Sequence, residues 1–334
     1  MSLQAASCTS GTVPAAIMTV ATMLVSERGY RLVKQIGIRL ARAVNSRLGL
    51  LEAGPHPEPI LPPPVLIVGP PRSGTTLLFQ LMVQQLDVAY LSNAHHALFG
   101  APSLLERLVP RRMRVPPAGQ DSSFGHVKGI WAPSEAGNFW YRFFPMKPHH
   151  VSPEEFPDRA RARLRSAVAA FTRASGRPMV SKNVMCSVRI EAISSAIPEM
   201  RYIIVTRDIV DVATSLLAAR LAVHGSIDRW LSVEPQDIDR IAVLPPEHQV
   251  VEQVLSVQAA MQVARSSLPA DRFVDVGYRA LASNPAAELS RLANSLEVGF
   301  RRQHPDLPRS LHRRAASQVD PATVARVQSY VDGR

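Results

Sequence analysis

The most pronounced hydrophobic pattern in the chain is the run Val65-Leu-Ile-Val68. It is followed at once by Gly69-Pro-Pro-Arg-Ser-Gly74 and then by an apolar stretch of helical length, Leu77 to Leu86. A short uninterrupted apolar run bounded by turn residues reads as a strand buried on both faces, and the longer run reads as a helix. Four further segments have strand character: Val88–Leu91, Pro178–Lys182, Arg201–Thr206 and Phe273–Tyr278. Between them the pattern turns helical. Ser152-Pro-Glu-Glu155 forms a capping box and predicts a helix from there to Ala174. A helix through Ile190, Ile193 and Ile197 stops at Pro198, and others span Val210–Val223 and Val250–Ser267. Asn284-Pro285 opens a last one, to Leu296. Strands alternating with helices predict an α/β fold, a mostly parallel sheet of about five strands flanked by helices on both faces.

The rest of the chain is less regular. Residues 1–25 read as an arm, and Arg28–Leu50 as an amphipathic helix suited to packing rather than to a membrane surface. Gly54–Pro64 holds six prolines and reads as a linker. The expected organisation is residues 1–60 as arm, helix and linker, and 61–334 as a single α/β domain. Residues 100–130 and 225–249 look like irregular insertions, and loops of that length tend to be functional. Trp131 to Pro145 is dense in aromatics and suits either a core or an acceptor pocket.

Composition changes the picture in two respects. Lys and Arg total 38 against 27 Asp and Glu, a net charge of +11, and only Lys34, Lys128, Lys147 and Lys182 are lysines. Such a balance fits either a solvated arginine-rich surface or a polyanionic partner. Cys8 and Cys186, the two cysteines, lie far apart and make no disulfide framework or metal spacing. A reducing, cytoplasmic location is the expectation. The apolar run Val13–Val25 is too short to span a bilayer and lacks a basic flank, so neither an anchor nor a secretory leader is expected.

The turn after the first strand carries the chemistry. Gly69-x-x-x-x-Gly74-Thr75-Thr76 has the skeleton of a P-loop, in which amides at a helix start cradle phosphate. Thr75 stands where that motif has its lysine, which argues against ordinary triphosphate hydrolysis. Arg72 lies inside the turn instead. The expected fold is therefore P-loop-like but adapted to another anion.

At this point the residues resemble those of a known family. Pro71-Arg-Ser-Gly-Thr-Thr76 resembles the 5′-phosphosulfate loop of sulfotransferases that use PAPS (3′-phosphoadenosine 5′-phosphosulfate). The flavour is that of the bacterial and tyrosylprotein-type branch. In that family an arginine closing a later strand, and a serine on the helix after it, grip the 3′-phosphate. Arg207 follows Tyr202-Ile-Ile-Val-Thr206, and Ser215 lies eight residues beyond. The branch also has a strand-end lysine, and Lys182 stands 25 residues before Arg207. The segment Asp275-Val-Gly-Tyr278 through Asn284-Pro285 is similar to another family segment. The resemblance implies that Arg72, Ser73, Gly74, Thr75 and Thr76 hold the 5′-phosphosulfate. It implies that Arg207 and Ser215 hold the 3′-phosphate and that Lys182 and Arg72 take part in catalysis. It implies PAPS as co-substrate, with fixed cations in place of a metal, and places Arg313 or Arg314 near the nucleotide.

The general base stays open. The branch has a glutamate on the loop after its second strand, where this chain has Asn93, His95 and His96. His95 and Glu135 are equal candidates, followed by His96. The reading is a sulfotransferase acting on a hydroxyl of a small-molecule, carbohydrate or lipid acceptor, with no nucleic acid partner. The alternatives are a P-loop kinase or nucleotide hydrolase, and a non-catalytic basic anion-binding protein.

Overall fold

Five strands meet in one parallel sheet: β1 (Val65–Val68), β2 (Ala89–Tyr90), β3 (Met179–Lys182), β4 (Arg201–Thr206) and β5 (Phe273–Gly277), in the order β2-β3-β1-β4-β5. This is a computed structural model, and it describes residues 43–49, 59–117, 127–311 and 319–334. The expectations for the N-terminal arm, most of the amphipathic helix and linker, Cys8, and Arg313 and Arg314 lie outside the described residues.

Besides short helical turns at Gly137–Trp140 and Ile238–Ala242, the main helices among the described residues are α1 (Thr75–Gln85), α2 (Asn93–Ala97), α3 (Pro102–Leu108), α4 (Asp158–Ser175), α5 (Ile190–Ala196), α6 (Ile209–His224), α7 (Pro246–Ser267), α8 (Tyr278–Ser283), α9 (Pro285–Leu296) and α10 (Pro321–Asp332). Alternation along β1 shows how they cover the sheet. Leu66 and Val68 point into one core layer with Phe171, Ile193 and Met261, from α4, α5 and α7. Val65 and Ile67 point into the other with Leu78, Met82 and Leu292, from α1 and α9. Both faces of β1 are dry, as its uninterrupted apolar run requires. Each such buried aliphatic side chain stabilises the fold by roughly 1.5–3 kcal/mol. A third apolar cluster joins α6, α7 and α10 through Leu216, Leu217, Val250 and Val327.

Three sequence expectations need correction, and one left open is settled. The Ser152 capping box forms, with Ser152 N–H donating to Glu155 and Glu155 N–H donating to Ser152 Oγ, but it makes only a turn. Pro157 disfavours a helical Phe156, and α4 starts at Asp158. Helix α7 begins at Pro246, four residues before its apolar pattern, because proline suits the first helical turn. The stretches 100–130 and 225–249 contain α3 and the short helix Ile238–Ala242, and neither is wholly irregular. The aromatic stretch is mainly core: Phe139, Trp140, Phe143 and Phe144 are all buried. Cys186 is buried too, and burial pushes its thiol up to about 12, so it is inert at neutral pH.

The sheet order positions the site. β1 leads through α1 to β2 on one side, and β3 returns beside β1. The crossover through α5 then places β4 on its other flank. In an open parallel sheet, the crevice beyond the carboxyl ends at such a reversal is where ligands bind. The residues ending β1, β3 and β4 are Val68-Gly69, Lys182 and Thr206-Arg207.

Candidate functional site

The turn between β1 and α1 is shaped by two glycines that nothing larger replaces. A Cβ on Gly69 would lie 2.7 Å from Val205 O and 2.8 Å from Ser73 Oγ. Gly74 adopts φ +105°, and a Cβ there would sit 2.5 Å from Tyr278 Cδ2. Arg72 takes the left-handed conformation, φ 70°, which arginine adopts only under constraint from its surroundings. Gly74→Ala combines backbone strain with a clash. It is expected to destabilise the fold by about 2 kcal/mol or more, read by urea unfolding. An unchanged midpoint would mean that the turn relaxes freely.

This turn opens onto the start of α1. Gly74 gives the helix no side-chain cap, and the first amides of any helix lack intrahelical acceptors. Thr75 occupies the first helical position and is buried, and Thr76 follows half-buried. Ser73 Oγ is fully buried and has no hydrogen-bond partner. A buried hydroxyl without a partner is costly, and beside uncapped amides and a Cβ-free backbone it makes a cradle for a tetrahedral oxyanion. Ser187, on the turn after β3, holds the cradle from below. Its hydroxyl bonds both the N–H and the carbonyl of Gly69, each at 3.0 Å.

The cations come from three elements. Arg72 Nε donates to Ser215 Oγ on α6 at 3.1 Å. Arg207, at the end of β4, donates from Nη1 to the Arg72 carbonyl at 3.4 Å and lies 3.5 Å from Asp211. Its guanidinium stacks 4.3 Å above the Tyr278 ring, and its buried Nε has no partner. The structure thus brings Arg72, Ser73, Gly74, Arg207 and Ser215 together, with Tyr278 as a wall shared by the Gly74 backbone and Arg207. Lys182, at the end of β3, is buried (3% exposed) and pairs with Glu135, whose side chain is 33% exposed. Glu135 is aimed by its own segment. Ser134 N–H donates to the Leu91 carbonyl, Asn183 Nδ2 donates to the Glu135 carbonyl at 3.1 Å, and Ala136 takes φ 46°.

The two histidines are arranged differently. His95 Nδ1 accepts from Ser92 N–H at 3.1 Å and meets Ser92 Oγ at 2.7 Å. The other nitrogen, Nε2, lies 3.4 Å from Glu106. Burial holds the imidazole below its ordinary pKa, with Glu106 opposing. Burial also pushes Glu106 up, but His95 and Arg114 together keep it ionised. His95 is therefore the third residue of the capping box that starts α2, packed edge-on against Phe171, with Nδ1 hydrogen-bonded and Nε2 facing Glu106 without a hydrogen bond. Of the two candidate bases, His95 is buried, whereas Glu135 is partly exposed beside Lys182. His96 reaches Asn138 at 3.2 Å.

Sequence reasoning overlooked Ser187, Asn183 and the wall role of Tyr278. Tyr278 carried a signal, since it lies in the recognised Asp275–Pro285 segment. Ser187 and Asn183 carried none, because their partners are reached only through the fold.

A family model described as the sulfotransferase family matches residues 63–302. No curated protein matches the chain. Among solved structures, sulfotransferase STF9 from Mycobacterium avium is 17% identical, with 83% of this chain and 69% of that one covered and a TM-score of 0.49. A sulfotransferase from Alicyclobacillus acidocaldarius is 16% identical, with 81% and 92% covered and a TM-score of 0.43. For sulfotransferase STF1 from Mycobacterium tuberculosis H37Rv the figures are 12%, 70% and 67%, and 0.43. These likenesses are too distant to carry an argument, and the assignment rests on the family model. That model spans well over half of the sequence, including the β1 turn, Lys182 and Arg207, and by it the chain belongs to the sulfotransferase family.

Proposed function

We propose that the enzyme takes its sulfuryl group from PAPS and delivers it to a hydroxyl. The observation that carries this reading is the convergence of Arg72, Arg207 and Ser215. Arg72 joins Arg207 and Ser215, which lie far from it in sequence, in one connected set beside the cradle. A donor bearing phosphate at both its 5′ and 3′ positions needs two cationic sites at a fixed separation. The cradle, with Ser73 Oγ and the α1 amides, suits the 5′ end. Arg207 and Ser215 suit the 3′-phosphate, Arg207 through the unpartnered Nε and its planar fork.

In this reading Lys182 neutralises charge that develops on the oxygen bridging phosphorus and sulfur. Glu135 takes the proton from the acceptor hydroxyl as its oxygen bonds to sulfur and the bridging bond breaks. Transfer of this kind needs little covalent assistance from the protein, so positioning and fixed charge dominate. The contact between Lys182 and Glu135 favours Glu135 over either histidine as the base. The kinase reading is weakened by the positions of two carboxylates. Asp208 caps α6 by accepting from Asp211 N–H at 3.0 Å, and Asp275 pairs with Arg265 at 2.7 Å. The acceptor is a small-molecule, carbohydrate or lipid hydroxyl.

Arg207→Ala is expected to weaken 3′,5′-ADP binding by about 10- to 100-fold, the worth of charge-assisted hydrogen bonds, and to leave 5′-AMP binding unaffected. Calorimetric titration of both ligands reads this directly. An equal loss for both would remove the 3′-phosphate from Arg207.

A further inference from the structure

The β2 edge of the molecule carries a surface that the nucleotide site does not use. Residues 107–117 and 127–131 contain Arg107, Arg111, Arg112, Arg114 and Lys128 and no aspartate or glutamate. Among these cations Leu108 is 73% exposed, Met113 61%, Val115 62% and Ile130 66%. Single exposed apolar residues are ordinary, but four in two neighbouring segments are not.

The two segments form one surface. Pro117 Cγ lies 3.3 Å from where a Gly129 Cβ would stand, so the two segments touch there. Gln84 Nε2 anchors the Pro117 carbonyl at 2.7 Å, and Ala94 N–H anchors the Ile130 carbonyl at 2.9 Å. At the base of this surface Arg111, Arg114, Arg177 and Arg301 converge on one small opening. Two carboxylates answer these four guanidiniums, Asp87 and the buried Glu106. The region is therefore strongly positive as well as apolar. A protein partner would need an apolar patch bordered by carboxylates in matching positions. An anionic bilayer complements both, since acyl chains accept the apolar groups while lipid phosphates meet the cations. Among the described residues no helix is long and apolar enough to cross a membrane, so the contact would be peripheral.

We propose that this face docks on an anionic lipid bilayer, with Leu108, Met113, Val115 and Ile130 entering the interface and Arg107, Arg111, Arg112 and Lys128 meeting lipid phosphates. The proposal is independent of the donor assigned above.

The test is cosedimentation of the full chain with phosphatidylcholine vesicles, with and without about 30% phosphatidylglycerol. The chain should partition to the anionic vesicles and only weakly to the neutral ones. Arg112→Glu with Lys128→Glu should lower the partition coefficient about tenfold or more. Leu108→Ser with Ile130→Ser should do the same without changing the melting temperature, since both positions are exposed. Equal binding to both vesicle types would overturn the proposal, as would unchanged binding of either double variant. Release by about 10 mM phosphate at constant ionic strength would also overturn it, because the arginine cluster would then be a site for a free anion.

Discussion

Replacing Lys182 by alanine is expected to lower turnover by about 10²–10³-fold, the usual cost of removing one group aimed at developing charge. Binding of 3′,5′-ADP should hold within about threefold, because an interaction made in the transition state contributes little to product affinity. The position makes the test clean. Lys182 ends β3, is 3% exposed and meets Glu135, whose carboxylate is partly exposed and stays solvated when the ammonium is gone. Single-turnover kinetics and calorimetry on the same variant separate the two effects. If affinity fell as far as turnover, Lys182 would belong to nucleotide binding and not to the chemistry.

Glu135→Gln is expected to reduce turnover by about 10²–10³-fold, within the range of general base catalysis, with donor affinity unchanged. Glutamine keeps the shape and can still accept from Lys182, so the fold and the cradle should survive. His95 serves as the comparison. His95→Ala removes a buried capping side chain and should appear first as lost stability, not as a specific loss of rate. His96→Gln should change the rate little. If His96→Gln abolished transfer and Glu135→Gln did not, the base would be His96.

The parts of this account legible in the sequence are those that local physics fixes. β1 was readable because a strand buried on both faces needs an unbroken apolar run. The turn was readable because Gly69 and Gly74 stand where a side chain would collide. β4 matched its expected span, since Arg201–Thr206 is likewise apolar between polar ends. Elements decided by competition were misread or left open. The Ser152 box satisfied its own hydrogen bonds, yet Pro157 decided where α4 begins. The aromatic stretch read equally as pocket or core, because burial depends on what the fold places against it. The pairing of Lys182 with Glu135, and the enclosure of His95 beside Glu106, depend on partners from other elements. No spacing rule anticipates them. Two arginines with a serine at a suggestive distance were visible from the start, but that they form one connected set was not.

In the proposed function the cradle and Arg207 together recognise a nucleotide phosphorylated at both ends. Thermal stabilisation of the full chain by 3′,5′-ADP, against 5′-AMP, 5′-ADP and ATP at equal concentration and without magnesium, tests it most directly. 3′,5′-ADP is expected to raise the melting temperature well beyond the other three, and Arg207→Ala to erase the difference. Equal stabilisation by 3′,5′-ADP and 5′-AMP, or a larger shift with ATP, would contradict it.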